Sequence, residues 1–403
     1  MERREFLKIS GGGLAAIAVG GLRLPPIFRS EAFAAAQTIE LTMEEAQVEM
    51  VDLTQVYMWL FGSPALGPSF PGPAILTTQG HKVTIRLTNN LDEPHAFQIV
   101  GTTIASPPVN PGQTTTLKFK APAAGTYLYV DPLNAPVNRV LGLHGPLIVL
   151  PKPKRIGKKR KKNPTPYSAP TPNVLRLFRD LGNSPQFPGD PWLRERTKIW
   201  LFSSIDPAFN ALAEAGQPID PLQFTATFLP RYFTINGKSG AFAAHDQDIV
   251  PHGNIGEPHL IRILNAGMAA HSPHIHGNHV YVLSVNNTIR QSALLVDTFT
   301  VAPADRVDWL LPFIRPQDIP GDPTIPLRDL LPTELALSAN ELLVAQSPIR
   351  FPMHCHMEMS QTAAGGNYNQ GAVTDWTLTG DLDKLPFPNQ ANLALLAGNR
   401  WRR

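Results

Sequence analysis

This chain has a single cysteine in 403 residues. One thiol cannot form an intramolecular disulfide, so the fold must rest on its own core. Charge is sparse as well: 17% of residues are charged and the net charge is only +3. No field of one sign covers the chain, and no nucleic-acid-binding motif is present, which argues against a nucleic-acid partner. Long apolar runs are also lacking. The stretch at 9–22 is short and diluted by five glycines, so it does not make a membrane-spanning helix. Basic residues gather only between Lys152 and Lys162, among prolines and without interleaved aromatics. That pattern reads as a solvated linker.

Proline and glycine are plentiful, at 41 and 30 residues. With 43% apolar residues, this load describes a globular protein of many strands joined by turns rather than a helical bundle. The chain begins with an export signature. Arg3-Arg4-Glu5-Phe6-Leu7-Lys8 is a twin-arginine motif, followed by the short apolar stretch and by small residues around Ala34 that suit cleavage. Residues 1–36 are therefore expected to be a signal peptide, and the mature protein periplasmic or extracellular. That route carries folded proteins, which suits one that takes up a cofactor before export.

The remainder divides into two similar halves. KVTIRLTNN at 82–90 is echoed by HLIRILNAG at 259–267, each an alternating strand ending in an Asn-type turn. VNPG at 109–112 precedes the strand pattern TTTLKF, as VAPAD at 301–305 precedes RVDWL. Short strands at this spacing predict β-sandwiches, one per half. The expected division is a first domain over 37–151, the basic connection over 152–190, a second domain over 191–382 and a tail over 383–403. The second domain carries an insertion at 312–346, partly helical.

Five histidines and the only cysteine fall in two short segments of the second half: His271-Ser272-Pro273-His274-Ile275-His276-Gly277 and Met353-His354-Cys355-His356-Met357. In an extended strand alternate side chains share a face. His354 and His356 then point one way and Cys355 the other. His274 and His276 share a face, and His271 has the opposite parity. One position would use Cys355 and His271, and a second would draw on His274, His276, His354 and His356. A short covalent path through Cys355 would join them. Thiolate with imidazole is a soft donor set that suits copper. Zinc also fits four imidazoles.

These segments resemble the last domain of the multicopper oxidases, which carries His-x-x-His-x-His-Gly and His-Cys-His motifs. The phrases 232–238, 261–267 and 297–303, and in the first half 125–129 and 142–149, are similar to that family's framework. The resemblance implies an all-β chain of two cupredoxin-like Greek-key sandwich or barrel domains. It implies copper as the cofactor and a small molecule or metal ion as electron donor. Smaller members of the superfamily are trimers, so a homo-oligomer is implied too. Carried over, His271 and Cys355 match ligands of the mononuclear blue copper. His274, His276, His354 and His356 match half of a trinuclear cluster.

The chain departs from that pattern in the first half, where two His-x-His pairs are expected. Gln98 and Val100 stand at the first pair, and Val130-Asp131-Pro132 at the second. His95 falls off that register and reads as an ordinary strand or loop residue, and His144 belongs to the framework. In the second half, Ser360 stands where the family places a second histidine for the blue copper, and Gly365 where an axial methionine is common. Met359 shares the parity of Cys355 and is a candidate substitute. The expectation is an exported copper-binding oxidoreductase with an incomplete copper set, short of four-electron oxygen reduction. The alternative is a non-catalytic copper-binding or electron-transfer protein, or a cell-surface scaffold.

Overall fold

A computed structural model describes residues 16–18, 36–156, 159–161, 164–316, 322–326 and 348–387. Most of the expected signal segment, of the 312–346 insertion and of the tail lies outside these residues.

The chain is all-β, as expected, and its two halves repeat one topology. In the first half the strands are β1 (Ala36–Glu49), β2 (Gln55–Ser63), β3 (Ile75–Thr78), β4 (Lys82–Asn89), β5 (Gln98–Ile99), β6 (Thr114–Lys120), β7 (Gly125–Val130) and β8 (His144–Leu150). One sheet runs β2-β1-β4-β6, with β1 parallel to β4, and the facing sheet runs β3-β8-β7-β5, with β3 parallel to β8. The second half provides β9 (Thr197–Ile205), β10 (Tyr232–Ile235), β11 (His252–Asn254), β12 (His259–Asn265), β13 (Pro273–Ile275), β14 (Val280–Val285), β15 (Thr288–Val296), β16 (Arg306–Leu311), β17 (Ile349–Cys355) and β18 (Val373–Gly380). Its sheets run β10-β9-β12-β16-β14-β15 and β11-β18-β17-β13, again with β9 parallel to β12 and β11 parallel to β18. The second copy thus adds the β14–β15 hairpin to the same frame.

Strand β4 shows how sequence sets burial. Its apolar residues Val83, Ile85 and Leu87 are fully buried, while Lys82 and Arg86 face outward. This is the period-2 pattern of a strand with one wet face. Strands β7 and β8 break the alternation and are buried along their whole length. Their outer face does not meet water. Leu128, Val130, Ile148 and Leu150 pack with Ile199, Leu201, Leu264 and Ala266 of the other sandwich. A strand covered on both faces reads as a continuous apolar run.

A polar knot fixes the pairing of the two sandwiches. Arg262 and Asp308 form a buried ion pair at 3.4 Å. Thr126 of β7 donates its hydroxyl proton to Asp308 and accepts from Arg262 Nη1 at 2.8 Å. Tyr167, from the connection, donates to Asp308 at 2.8 Å. Three separate parts of the chain satisfy one buried carboxylate, so displacing any of them leaves polar groups unpaired.

Candidate metal centre

Strands β13 and β17 run antiparallel at the end of their sheet, pairing Pro273 with Cys355, His274 with His354 and Ile275 with Met353. The pleat divides the donors. Cys355, Met353 and Ile275 are buried, while His274 and His354 are half-buried and His276 and His356 are exposed.

The four imidazoles come together on the wetter face. Ligand nitrogens of His274, His354 and His356 lie within 4.8 Å of one another. His276 Nε2 faces His354 Nε2 at 3.0 Å. His274 is oriented from behind: its Nδ1 is 2.8 Å from Thr298 Oγ1 and 3.2 Å from the Asp297 carbonyl. With Nδ1 donating its proton there, Nε2 keeps a lone pair for the cluster, which is how metal-binding histidines are fixed in tautomer and direction. Burial lowers the pKa of His274, and neighbouring His276 and His356 lower it further, against the opposing pull of Asp297. Burial and the surrounding imidazoles lower His354 in the same sense. Both shifts favour the neutral ring, the form that binds metal. His354 Nδ1 is buried with no hydrogen-bond partner among the described residues.

The other face holds the sulfur. His271 Nδ1 lies 3.6 Å from Cys355 Sγ, and the backbone N–H of Ser272 donates to the same sulfur at 3.1 Å. Phe202 stacks on the His271 ring at a centroid distance of 4.6 Å, and Phe233 meets its edge. Burial pushes the His271 pKa down to about 3. Ser360 is buried, but its hydroxyl donates to the Met357 carbonyl at 2.7 Å. Met357 and Met359 stand at the surface, 37% and 45% exposed, whereas Cys355 has no exposure at all. Gly365 sits in left-handed backbone against the Arg231 guanidinium. Among the described residues the His271 imidazole faces the sulfur, and the Ser360 hydroxyl is turned to a carbonyl instead.

The first sandwich contains a corner that sequence reasoning missed. His95 bridges Val109 as His271 bridges Val301. Asn89 Nδ2 donates to the Glu93 and Val109 carbonyls, just as Asn265 Nδ2 donates to those of Ala269 and Val301. Gln98 pairs with Val130 as His274 pairs with His354. On this register His95 is the counterpart of His271 and Asp131 that of Cys355. Gln98, Val100, Val130 and Pro132 take the places of His274, His276, His354 and His356. His95 thus stands off the His-x-His positions, as expected, but it shares the place of His271 and is fully buried. Its Nδ1 donates to Asp131 Oδ2 at 2.6 Å, and Asn138 Nδ2 donates to the same oxygen at 2.8 Å. The backbone N–H groups of Ala96 and Leu133 complete the shell around Oδ1 at 3.1 and 2.9 Å. A carboxylate holding four donors has no lone pair left over for a metal. The signal was present in the sequence: Asn89 and His95 have the spacing of Asn265 and His271.

Residues 43–154 match the family model described as multicopper oxidase. Over that stretch, most of the first sandwich, the chain is similar to a multicopper oxidase domain. Among curated relatives, L-ascorbate oxidase of Nicotiana tabacum is 36% identical over 93 residues, covering 20% of this chain and 16% of the relative. The copper-containing nitrite reductase of Rhizobium meliloti is 26% identical over 251 residues, 59% of this chain and 58% of the relative. The chain thus spans less than two thirds of either relative. Among solved structures, the blue copper oxidase of Nitrosomonas europaea superposes with a TM-score of 0.58 at 20% identity, covering 88% of this chain and 89% of that one. At that identity the likeness establishes a shared cupredoxin-type fold of the multicopper oxidases over both sandwiches.

Proposed function

We propose that this chain is an exported, copper-binding oxidoreductase of the multicopper oxidase type with a reduced copper complement. One observation carries the reading. Imidazoles of two paired strands converge on one point, and His354 and His356 flank, in the chain itself, the cysteine that faces His271. The donor set fits copper: neutral imidazoles on one face, sulfur and imidazole on the other. Bound copper would supply one-electron redox change at the cluster.

The chain's own residues supply the rest. Thr298 and the Asp297 carbonyl hold His274 in the tautomer that presents Nε2. Exposure of His276 and His356 leaves the cluster open to a small-molecule or metal-ion donor. The first sandwich offers Gln98, Val100, Val130 and Pro132 where further imidazoles would be needed. A second copy of the chain lacks them equally. The reading therefore stops short of four-electron oxygen reduction. Zinc suits four imidazoles as well, but the direct chain link to a sulfur site favours a redox metal.

The test is metal analysis and electron paramagnetic resonance on copper-loaded full-length protein, alongside oxidation of phenols and of reduced metal ions. We expect copper at the cluster, and a loss of turnover well beyond about 10-fold in His354→Ala, since losing even a supporting group typically costs 10–100-fold. Copper-loaded protein that oxidises neither donor class and consumes no oxygen would reject catalysis and leave a copper carrier or shuttle.

A further inference from the structure

We propose that Trp376 is a positioning residue for His276: its indole N–H, bonded to the His276 carbonyl, holds that imidazole where it can join the other three histidines on a metal. The inference deepens the reading of the four-histidine cluster as a metal site and rests on it.

His276 is held differently from its neighbours. Thr298 orients His274 through the ring itself. His276 lies just past the end of β13, and among the described residues the hydrogen-bond partner of its ring is His354, itself a cluster member. It also stands outside the set of three, His274, His354 and His356, whose ligand nitrogens lie within 4.8 Å of one another. The exposed ring therefore takes its place from the main chain. The His276 N–H donates to the Pro352 carbonyl at 3.2 Å, and the His276 carbonyl accepts from Trp376 Nε1 at 2.7 Å.

The donor in that second bond is rigid. Trp376 has no exposure, and an indole has one donor and no acceptor, so burial commits its N–H to a partner. It lies opposite Phe351 in the β17–β18 ladder, with the two rings stacked at a centroid distance of 4.7 Å and 16°. Phe313 meets the indole at 5.1 Å and 68°, and stacks in turn on buried His259 at 4.5 Å.

The turn after His276 is fitted to this stack. Gly277 has a φ of +73°, and a Cβ there would stand 2.4 Å from a Phe351 ring carbon. On its far side Asn278 Nδ2 donates to the Ile314 carbonyl at 2.8 Å. Both residues flanking Gly277 are thus tied to the barrel, and the His276 imidazole projects from a fixed support. Outer hydrogen bonds of this kind orient metal ligands.

The experiment titrates full-length, metal-stripped protein with Cu(II) against a competing chelator and records electron paramagnetic resonance. Trp376→Phe keeps an aromatic ring in the stack and removes the N–H. We expect it to weaken copper binding at the cluster by about 10-fold or more, the usual cost of losing an outer partner, and to alter the nitrogen hyperfine pattern. In a His276→Gln background the same change should weaken binding no further, because the bond then positions no ligand. Unchanged affinity and spectrum in Trp376→Phe, or an equal loss in both backgrounds, would overturn the inference. A second measurement does not depend on that variant folding. In 15N-tryptophan-labelled protein, Zn(II) should shift one indole N–H signal in the wild type and leave it in place in His276→Gln. Indole signals indifferent to Zn(II) would count against the proposal equally. Absence of turnover bears on the oxidoreductase reading alone. Copper binding indifferent to His354→Ala would remove the metal site itself, and this inference with it.

Discussion

The corner at His95 and the corner at His271 occupy the same place in two copies of one topology, yet they are closed by different chemistry. At His95 a proton lies between imidazole and carboxylate, and Asn138, Ala96 and Leu133 saturate the remaining acceptor positions of Asp131. At His271 the counterpart is a sulfur with one N–H bond, and the imidazole nitrogen faces it at 3.6 Å without closing a short hydrogen bond. The neighbouring positions follow suit: Gln98, Val100, Val130 and Pro132 on one side, four histidines on the other. Strand register decides where such a corner lies. Residue type then decides whether a proton closes it.

The comparison breaks most visibly if Asp131 is not what holds the first corner. Asp131→Ala strands four donors, three of them buried, and should cost about 3–5 kcal/mol, the usual penalty for breaking a buried pair. Chemical denaturation measures it, and a loss under about 1 kcal/mol would show that the carboxylate is dispensable.

Acid should also act through a buried histidine of the first sandwich. His144 bridges the Arg139 carbonyl at 2.7 Å and Ser203 of the other sandwich at 3.0 Å. Burial pushes its pKa down from 6.5 to about 4. The unfolded chain binds the proton more readily, so this stability is complete above the unfolded value and is lost as pH falls towards 4. The loss approaches about 3 kcal/mol over that window. His144→Gln should flatten that part of a stability–pH profile, and an unchanged slope would assign the acid sensitivity elsewhere.

Copper tests the second corner's neighbourhood. At about 100-fold above its dissociation constant, copper should stabilise the wild type by about 2.7 kcal/mol. Thermal melts should show that gain abolished in a His354→Ala, His356→Ala double variant and retained in Asp131→Asn. Equal gains in all three would place the metal outside the four-histidine cluster.

The subtlest change is an exchange of chemistry. Asp131→Cys with Asn138→His puts sulfur and a further imidazole beside His95 Nδ1, and should raise copper uptake by a fraction of an equivalent, seen in metal analysis. No added copper would mean that the first corner lacks room for an ion, and that register alone does not make a metal site.

Much of this was legible in the chain. The repeat of 82–90 in 259–267, the all-β character and the parity of His354, Cys355 and His356 all follow from period-2 patterning, which is a local property. The role of His95 was not legible by motif, because its partner Asp131 is 36 residues away and only sheet pairing brings them within 2.6 Å. The knot of Thr126, Tyr167, Arg262 and Asp308 escaped for the same reason. Met359 shared the parity of Cys355, but parity does not persist once β17 ends and the chain enters the short 3-10 turn Glu358–Gln361.

The sequence alone determined which donors exist and on which side of a strand each one falls, since alternation is dictated by the backbone of a single segment. Tertiary structure decided which donors meet, which stand idle at the surface, and which of the twin corners is closed by a proton. Those outcomes depend on distances between segments far apart in the chain, and only the packed sheets set them.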